Sequence, residues 1–302
     1  MNNMNLNIKN CIVIAQKEFT DDLWSPRFLS LLSIFALILF SFSYHSNAES
    51  TNFLELGFVD VAQIIAVFLP LFGITLGFDR IVKEKRNASL NVLLTQPVYR
   101  DSIIAGKVLG AMITLILIVF ISMIASIGTM ILVSGVQITS EELNRVFLFA
   151  IINYLYLSVF LMLGIFISTI SKNSINSLSY GICVWLILCV VFGSFALVIS
   201  TMYTGQSLLD LGNNEQAMDL NAQLQKLTPV HYYSELVIGH PCMTWGGFSK
   251  NDLDSIRGIF DTNYTTGQWL KEYIDDIIVL ISTIITLFIM SFVSFLKQDI
   301  TN

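Results

Sequence analysis

Long apolar runs separated by short polar segments set the pattern of this chain. Runs with no charge near their middles, and of about the 20 residues that cross a bilayer core, lie near residues 28–44, 58–78, 104–135, 146–170, 176–202 and 276–296. Each is rich in Leu, Ile, Phe and Val, which insert at roughly −0.3 to −0.6 kcal/mol per central residue. The pattern predicts an all-α polytopic membrane protein with six transmembrane helices, built as a single transmembrane domain over 1–302. Pro70, inside the second run, predicts a kink unless a neighbour satisfies the carbonyl it frees. Both a hinge and a static kink are open there, the static kink being favoured.

The segments between the runs carry their own periodicity. Ahead of the first run, Ile8, Cys11, Ile12, Ala15, Phe19 and Leu23 recur at helical spacing. Asn10, Lys17, Asp21 and Asp22 fall mostly on the opposite side, and Pro26 ends the segment. Such a helix beside a span lies in the membrane interface or packs on a partner. The long 203–273 segment exceeds a simple connector and predicts a small cap. In it Ala217, Leu220, Leu224 and Leu227 share one helical face, Thr228-Pro229 stops that helix, and Val230 to Ile238 is apolar enough to dip toward the bilayer.

Composition agrees with the pattern. Apolar residues make up 54% of the chain and charged residues 13%, against about 25% charged in soluble domains. A net charge of −6 gives no broad basic surface, so nucleic acid is not an expected partner. Cys11, Cys183, Cys189 and Cys242 follow no CxxC spacing and imply no disulfide framework. The N-terminus lacks the pattern of a cleaved signal peptide.

Charge placement orients the spans. Six of the sixteen Lys and Arg residues fall between residues 79 and 107: Arg80, Lys83, Lys85, Arg86, Arg100 and Lys107. With an even number of spans, eleven basic residues lie on the side of this loop and the termini, and five on the other. Four of those five sit in the long 203–273 segment, which has little weight in orientation. Loop and termini are therefore expected in the cytosol, in a cell membrane, with 203–273 outside. Within the loop, Leu90, Leu93 and Leu94 form a small apolar face before Pro97, flanked by Arg86 and Arg100. From these residues alone, a helix that docks on a partner and a loop that lies on anionic headgroups are equal readings.

The 79–110 segment resembles that of the permease subunits of ABC-2 type exporters, the group that includes NosY-like and antibiotic- or sodium-export permeases. An acidic and basic stretch leads to a leucine-rich turn, a proline, an arginine and a Gly-Lys entering the third span. The matching positions are Asp79, Glu84, Arg86, Leu90, Leu94, Pro97, Val98, Arg100, Gly106, Lys107 and Gly110. Lys17, Glu18 and Phe19 are similar to the family's interfacial helix, whereas Ala88-Ser89 stands where many relatives carry Gly-Thr. The resemblance implies a half-transporter that pairs with a second permease copy or a paralogue. A separate ABC ATPase subunit, binding ATP and Mg, would dock on the cytoplasmic loop. Glu84, Arg86, Leu90, Leu93, Leu94, Pro97, Arg100 and Lys107 would form the coupling loop. No cofactor is expected in this chain, since Gly106-Lys107-Val108 lacks the upstream glycine and the following Ser or Thr of a P-loop.

Other chemistry is thinly supported. His231, His240, Cys242 and Met243 are residue types that copper takes, but their spacing matches no established site, and ordinary loop residues are the favoured reading. Asn263-Tyr264-Thr265 fits a glycosylation triplet, relevant only in a secretory or archaeal context. A membrane-embedded hydrolase would need a Ser, Asp or His pair within spans. A secondary transporter or channel would normally carry intramembrane ionisable residues, and the runs have almost none. A structural or sensor subunit is the remaining alternative.

Overall fold

The computed structural model describes residues 2–49, 57–83, 100–134, 139–205, 215–239, 258–259 and 265–297, and all regular structure among them is helical. In chain order the helices are α1 (Asn2–Leu23), α2 (Pro26–Glu49), α3 (Gly57–Gly77), α4 (Arg100–Ser134) and α5 (Ser140–Ile170). Then follow α6 (Ser174–Trp185), a π-helical segment (Leu186–Val191), α7 (Phe192–Thr204), α8 (Glu215–Gln225), α9 (Pro229–Ile238) and α10 (Thr266–Leu296). Among the described residues, Asp101–Ala125, Ser140–Ile170, Ser174–Thr204 and Thr266–Leu296 are long and apolar enough to cross a membrane. Pro26–Leu37 and Ile65–Gly77 are shorter apolar stretches.

Two helices start well before the apolar runs they contain. Thr139 caps α5 through a reciprocal box with Glu142, and Thr265 caps α10 through one with Gln268. Each box satisfies two backbone donors that a helix start leaves open. The caps therefore set where the helices begin, and hydropathy sets only which part is lipid-compatible.

Helix α5 is the axis of the bundle, with Phe149, Tyr156, Phe160, Leu161 and Ile165 buried against α3, α4 and α10. The α3–α5 contact is a glycine seam. A Cβ at Gly73 would meet the Leu157 carbonyl oxygen at 2.7 Å, and one at Gly77 would meet that of Leu161 at 2.6 Å. Only hydrogen fits there, so the two backbones touch, as small-xxx-small helix pairs do in membranes. A second seam joins α1 to α4. Cβ atoms at Gly106 and Gly110 would lie 2.8 and 2.9 Å from the carbonyl oxygens of Cys11 and Ala15. By contrast, α6, the π-helical segment, α7 and α10 leave Ile175, Ile187, Phe195, Ile278, Ile285 and Ile289 exposed, as lipid-facing helices do.

Pro70 lies inside α3 and frees the carbonyl of Ala66 from its helical partner. The Tyr156 hydroxyl of α5 donates to that carbonyl at 2.6 Å. Trp185 Nε1 of α6 donates to the next one, Val67, at 2.7 Å. The carbonyl that Pro70 frees is thus satisfied from α5, and the one after it receives a donor from α6. Tyr233 of α9 stacks on Tyr156 with ring centroids 4.3 Å apart, and its hydroxyl donates to Asn153 Oδ1 at 3.0 Å.

The expected outer elements form with shifted edges. Ala217 is buried and Leu220 and Leu224 are half-buried, but Leu227 is exposed beyond the end of α8. Thr228-Pro229 both ends α8 and begins α9, with Pro229 in the first helical turn where its missing N–H costs nothing. Helix α9 packs on α3, α5 and α10 with Val230, Tyr233, Leu236 and Val237 buried. Gly239, at φ 73°, turns the chain out of it. Arg145, at the start of α5, is buried and donates to the Ile259 carbonyl at 2.7 Å.

Candidate functional site

The end of the bundle that carries Arg80 holds a buried network of charges. It is prepared by helical spacing. Glu18 and Asp22 sit one turn apart on the face of α1 that meets α4. Lys107 and Thr114 sit two turns apart on α4, alongside the Gly106–Gly110 seam. Arg80 follows the last turn of α3 and is positioned by its own helix end, its Nε donating to the Leu76 carbonyl at 2.8 Å.

From there the guanidinium forks. Nη1 donates to Glu18 Oε2 at 3.2 Å and Nη2 to Asp22 Oδ2. Lys107 Nζ donates to the other Glu18 oxygen at 2.7 Å, and the Thr114 hydroxyl donates to Asp22 at 2.8 Å. The side chains of Arg80 and Lys107 are 6% and 4% exposed, so desolvation strengthens each attraction but makes any unpaired charge costly. Only an arginine offers a planar fork that spans two carboxylates. Burial pushes the Glu18 carboxyl upward, but Lys107 and Arg80 outweigh it and hold the group below its ordinary range. Glu18 is therefore ionised at neutral pH.

A second pair lies outside the first. Arg27, at the start of α2, donates from Nη1 to Asp79 Oδ2 at 2.5 Å and places its guanidinium 5.1 Å above the Phe78 ring. The backbone of this turn is fixed from α5 and α6. Ser168 Oγ accepts from the N–H groups of Ile81 and Val82 at 3.0 and 3.1 Å, and Ser177 Oγ donates to the Phe78 carbonyl at 2.5 Å. Between α1, α2 and the end of α3 is a cleft of about 430 Å³, with Lys17, Asp21, Arg27 and Lys83 among the residues around it.

The structure distributes the sequence candidates unevenly. Lys107 turns inward to Glu18 from within α4, and Arg100 opens that helix. Glu18 is central to the network, Phe19 is half-buried, and Lys17 is exposed at 4.0 Å from Asp21. Asp22, expected on the polar side of α1, faces inward because Arg80 reaches it from just beyond the end of α3. Glu84, Arg86, Leu90, Leu93, Leu94 and Pro97 lie outside the described residues, as do His240, Cys242, Met243 and Asn263. His231 is buried in α9, and its Nδ1 has no hydrogen-bond partner among the described residues. Burial, aided by Lys226, lowers its imidazole to about 4. Among the described residues no group of three or more His, Cys, Asp or Glu is arranged to hold a metal.

Sequence reasoning missed the roles of Arg80, Asp22, Thr114 and the Arg27–Asp79 pair. The available signal was weak: two carboxylates one turn apart, on the same face as an alanine and a cysteine.

Comparison with known proteins bears on the whole chain. The model of the family described as "ABC-2 family transporter protein" matches residues 12–300. The chain is 30% identical over 207 residues to the "Probable ABC transporter permease protein NosY" of Stutzerimonas stutzeri, covering 64% of this chain and 71% of that protein. It is 31% identical over 104 residues to the protein of the same description from Pseudomonas aeruginosa, covering 32% of this chain and 37% of that one.

Proposed function

The chain belongs to the ABC-2 family of transporter proteins, and from that premise we propose that it is the exporting half of an ATP-driven machine, coupled through its 79–107 loop. As a member of that family it is a multi-pass membrane permease subunit of an ABC transporter. In the proposed arrangement one transmembrane domain, 1–302, spans the membrane six times with both termini and the loop in the cytosol. Two copies, or this chain and a paralogue, enclose the pathway. An ATPase subunit that binds ATP and Mg docks on Glu84, Arg86, Leu90, Leu93, Leu94, Pro97 and Arg100.

The observation that carries the coupling proposal is where the loop is rooted. Arg80 lies at its start and Lys107 at its end, and both hold the same Glu18 carboxylate of α1. A push on the loop would therefore move α1, α3 and α4 together, because separating any one of them leaves a buried charge unpaired. Nucleotide-driven closure of the ATPase would tilt these helices and change which side the pathway faces.

The test is Leu94→Asp, with charge reversal at Arg100 as a second variant. Both should insert normally and abolish transport while the partner still hydrolyses ATP. Normal export by a mutant that still binds its ATPase would remove the coupling assignment. An ATPase that never co-purifies with the wild-type chain would remove the docking itself.

A further inference from the structure

We propose that the cleft beside Arg27 holds the phosphate headgroup of an anionic phospholipid, with an acyl chain laid along Phe78, Ile175 and Leu178. Two hollows adjoin here, of about 430 and 340 Å³, and they share Arg27, Asp79 and Lys83. The first is rimmed by charge, whereas Phe78, Ile175 and Leu178 line the second. Polar and apolar chambers meeting at a basic boundary have the shape of an amphiphile.

The charges divide into those already committed and those left over. Arg80 and Lys107 are buried on Glu18 and Asp22. Arg27 gives Nη1 to Asp79 but is 49% exposed, and a guanidinium has five donors in all. Lys17 makes only a 4.0 Å contact with Asp21 on an exposed face. Lys83 is exposed and makes no ion pair among the described residues. It is the surplus positive charge of the cleft, and a phosphate bridging Lys83 and the outer edge of Arg27 would neutralise it.

Ile175 is 73% exposed on the apolar chamber, and Trp24, 86% exposed, stands at the same end of the bundle. Tryptophan so placed marks the headgroup level of a membrane. In the orientation proposed above this is the cytoplasmic leaflet, where anionic lipids attract basic residues. A free phosphate would satisfy Lys83 and Arg27 but leave the apolar chamber unfilled, so the occupant is a lipid. The inference needs only a membrane-embedded chain and would survive failure of the transport reading.

The test follows lipid retention by mass spectrometry on the purified full-length chain, after exchange through mixed micelles of phosphatidylglycerol and the diacylglycerol with the same chains. Wild type should keep phosphatidylglycerol and lose diacylglycerol. Lys83→Ala should keep about fivefold less, the factor that one basic side chain contributes at an anionic surface, while Lys83→Arg retains it. Ile175→Asp, on the chain side, should lower retention with Lys83 intact. Equal retention by wild type and Lys83→Ala, in protein of unchanged melting temperature, overturns the site. Displacement of the lipid by equimolar inorganic phosphate would show a chainless anion site and overturn the lipid assignment.

Discussion

The two glycine seams make an instructive pair. In α3, Gly73 and Gly77 bring the backbone onto α5; in α4, Gly106 and Gly110 bring it onto α1. The steric device is the same, and only the polar contacts beside it differ. Next to the α1–α4 seam the contacts are ionic: Lys107 to Glu18, with Arg80 reaching across from α3. Next to the α3–α5 seam they are neutral: the Tyr156 hydroxyl on Ala66 and the Trp185 indole on Val67. The surroundings explain the choice. Full charges survive where the helices emerge from the apolar zone, whereas inside it a neutral donor on a carbonyl satisfies the backbone without bringing an ion into hydrocarbon.

Breaking the ionic side should have the largest effect. Arg80→Ala leaves Asp22 without its cation and Glu18 with Lys107 alone, and should cost about 3–5 kcal/mol. It should be read as a lower melting temperature of the purified chain and weaker accumulation in membranes. Arg80→Lys should recover only part, because an ammonium cannot fork between two carboxylates. On the neutral side, Gly77→Val forces a side chain against the Leu161 carbonyl and should cost roughly 1–3 kcal/mol as the α3–α5 contact opens. Disulfide trapping between cysteines placed across that seam would report the opening. Tyr156→Phe is milder in shape but orphans the Ala66 carbonyl, a loss of about 1–2 kcal/mol. It should also loosen α3 around Pro70, with faster amide exchange near that residue.

The smallest effect is the one that separates the seams by pH. Glu18 is held below its ordinary value of 4.5. Its stabilisation is therefore complete above that value and is lost as the pH falls through the lower folded value. Melting temperature followed from neutral pH into that acid range should fall in wild type, and the Glu18 part of the fall should be missing in Glu18→Gln. The Tyr156 contact involves no carboxylate, so Tyr156→Phe should keep the wild-type slope. An identical slope in wild type and Glu18→Gln would show that the charged seam does not hold the fold.

Much of the architecture was legible because hydrophobic runs announce membrane helices. What escaped was whatever depended on partners distant in sequence. The amphipathic spacing of α1 was readable, but which of its faces was buried was not, since Glu18 and Asp22 are fixed by Arg80 and Lys107 from other helices. Pro70 advertised a kink, yet nothing local identified Tyr156 and Trp185 as the donors that hold it. The early starts of α5 and α10 were available in the sequence. Thr139-x-x-Glu142 and Thr265-x-x-Gln268 are helix-start signatures that hydropathy overrode. The π-helical segment had no such mark, since Leu186 to Val191 is apolar throughout without Gly or Pro.

That segment has a consequence for how the chain tolerates length changes. A π turn accommodates one more residue than an α turn, and each residue of an α-helix rotates the chain by about 100°. The extra residue sets the phase between Trp185, aimed at the Pro70 kink, and Ala196 and Ser200, buried on the far side of the bulge. Deleting one residue between 186 and 191 would leave a regular, equally greasy helix. It would nonetheless swing Ala196 and Ser200 out toward lipid, so this stretch should accept apolar exchanges at the exposed Leu186, Ile187 and Val191 but shortening hardly at all.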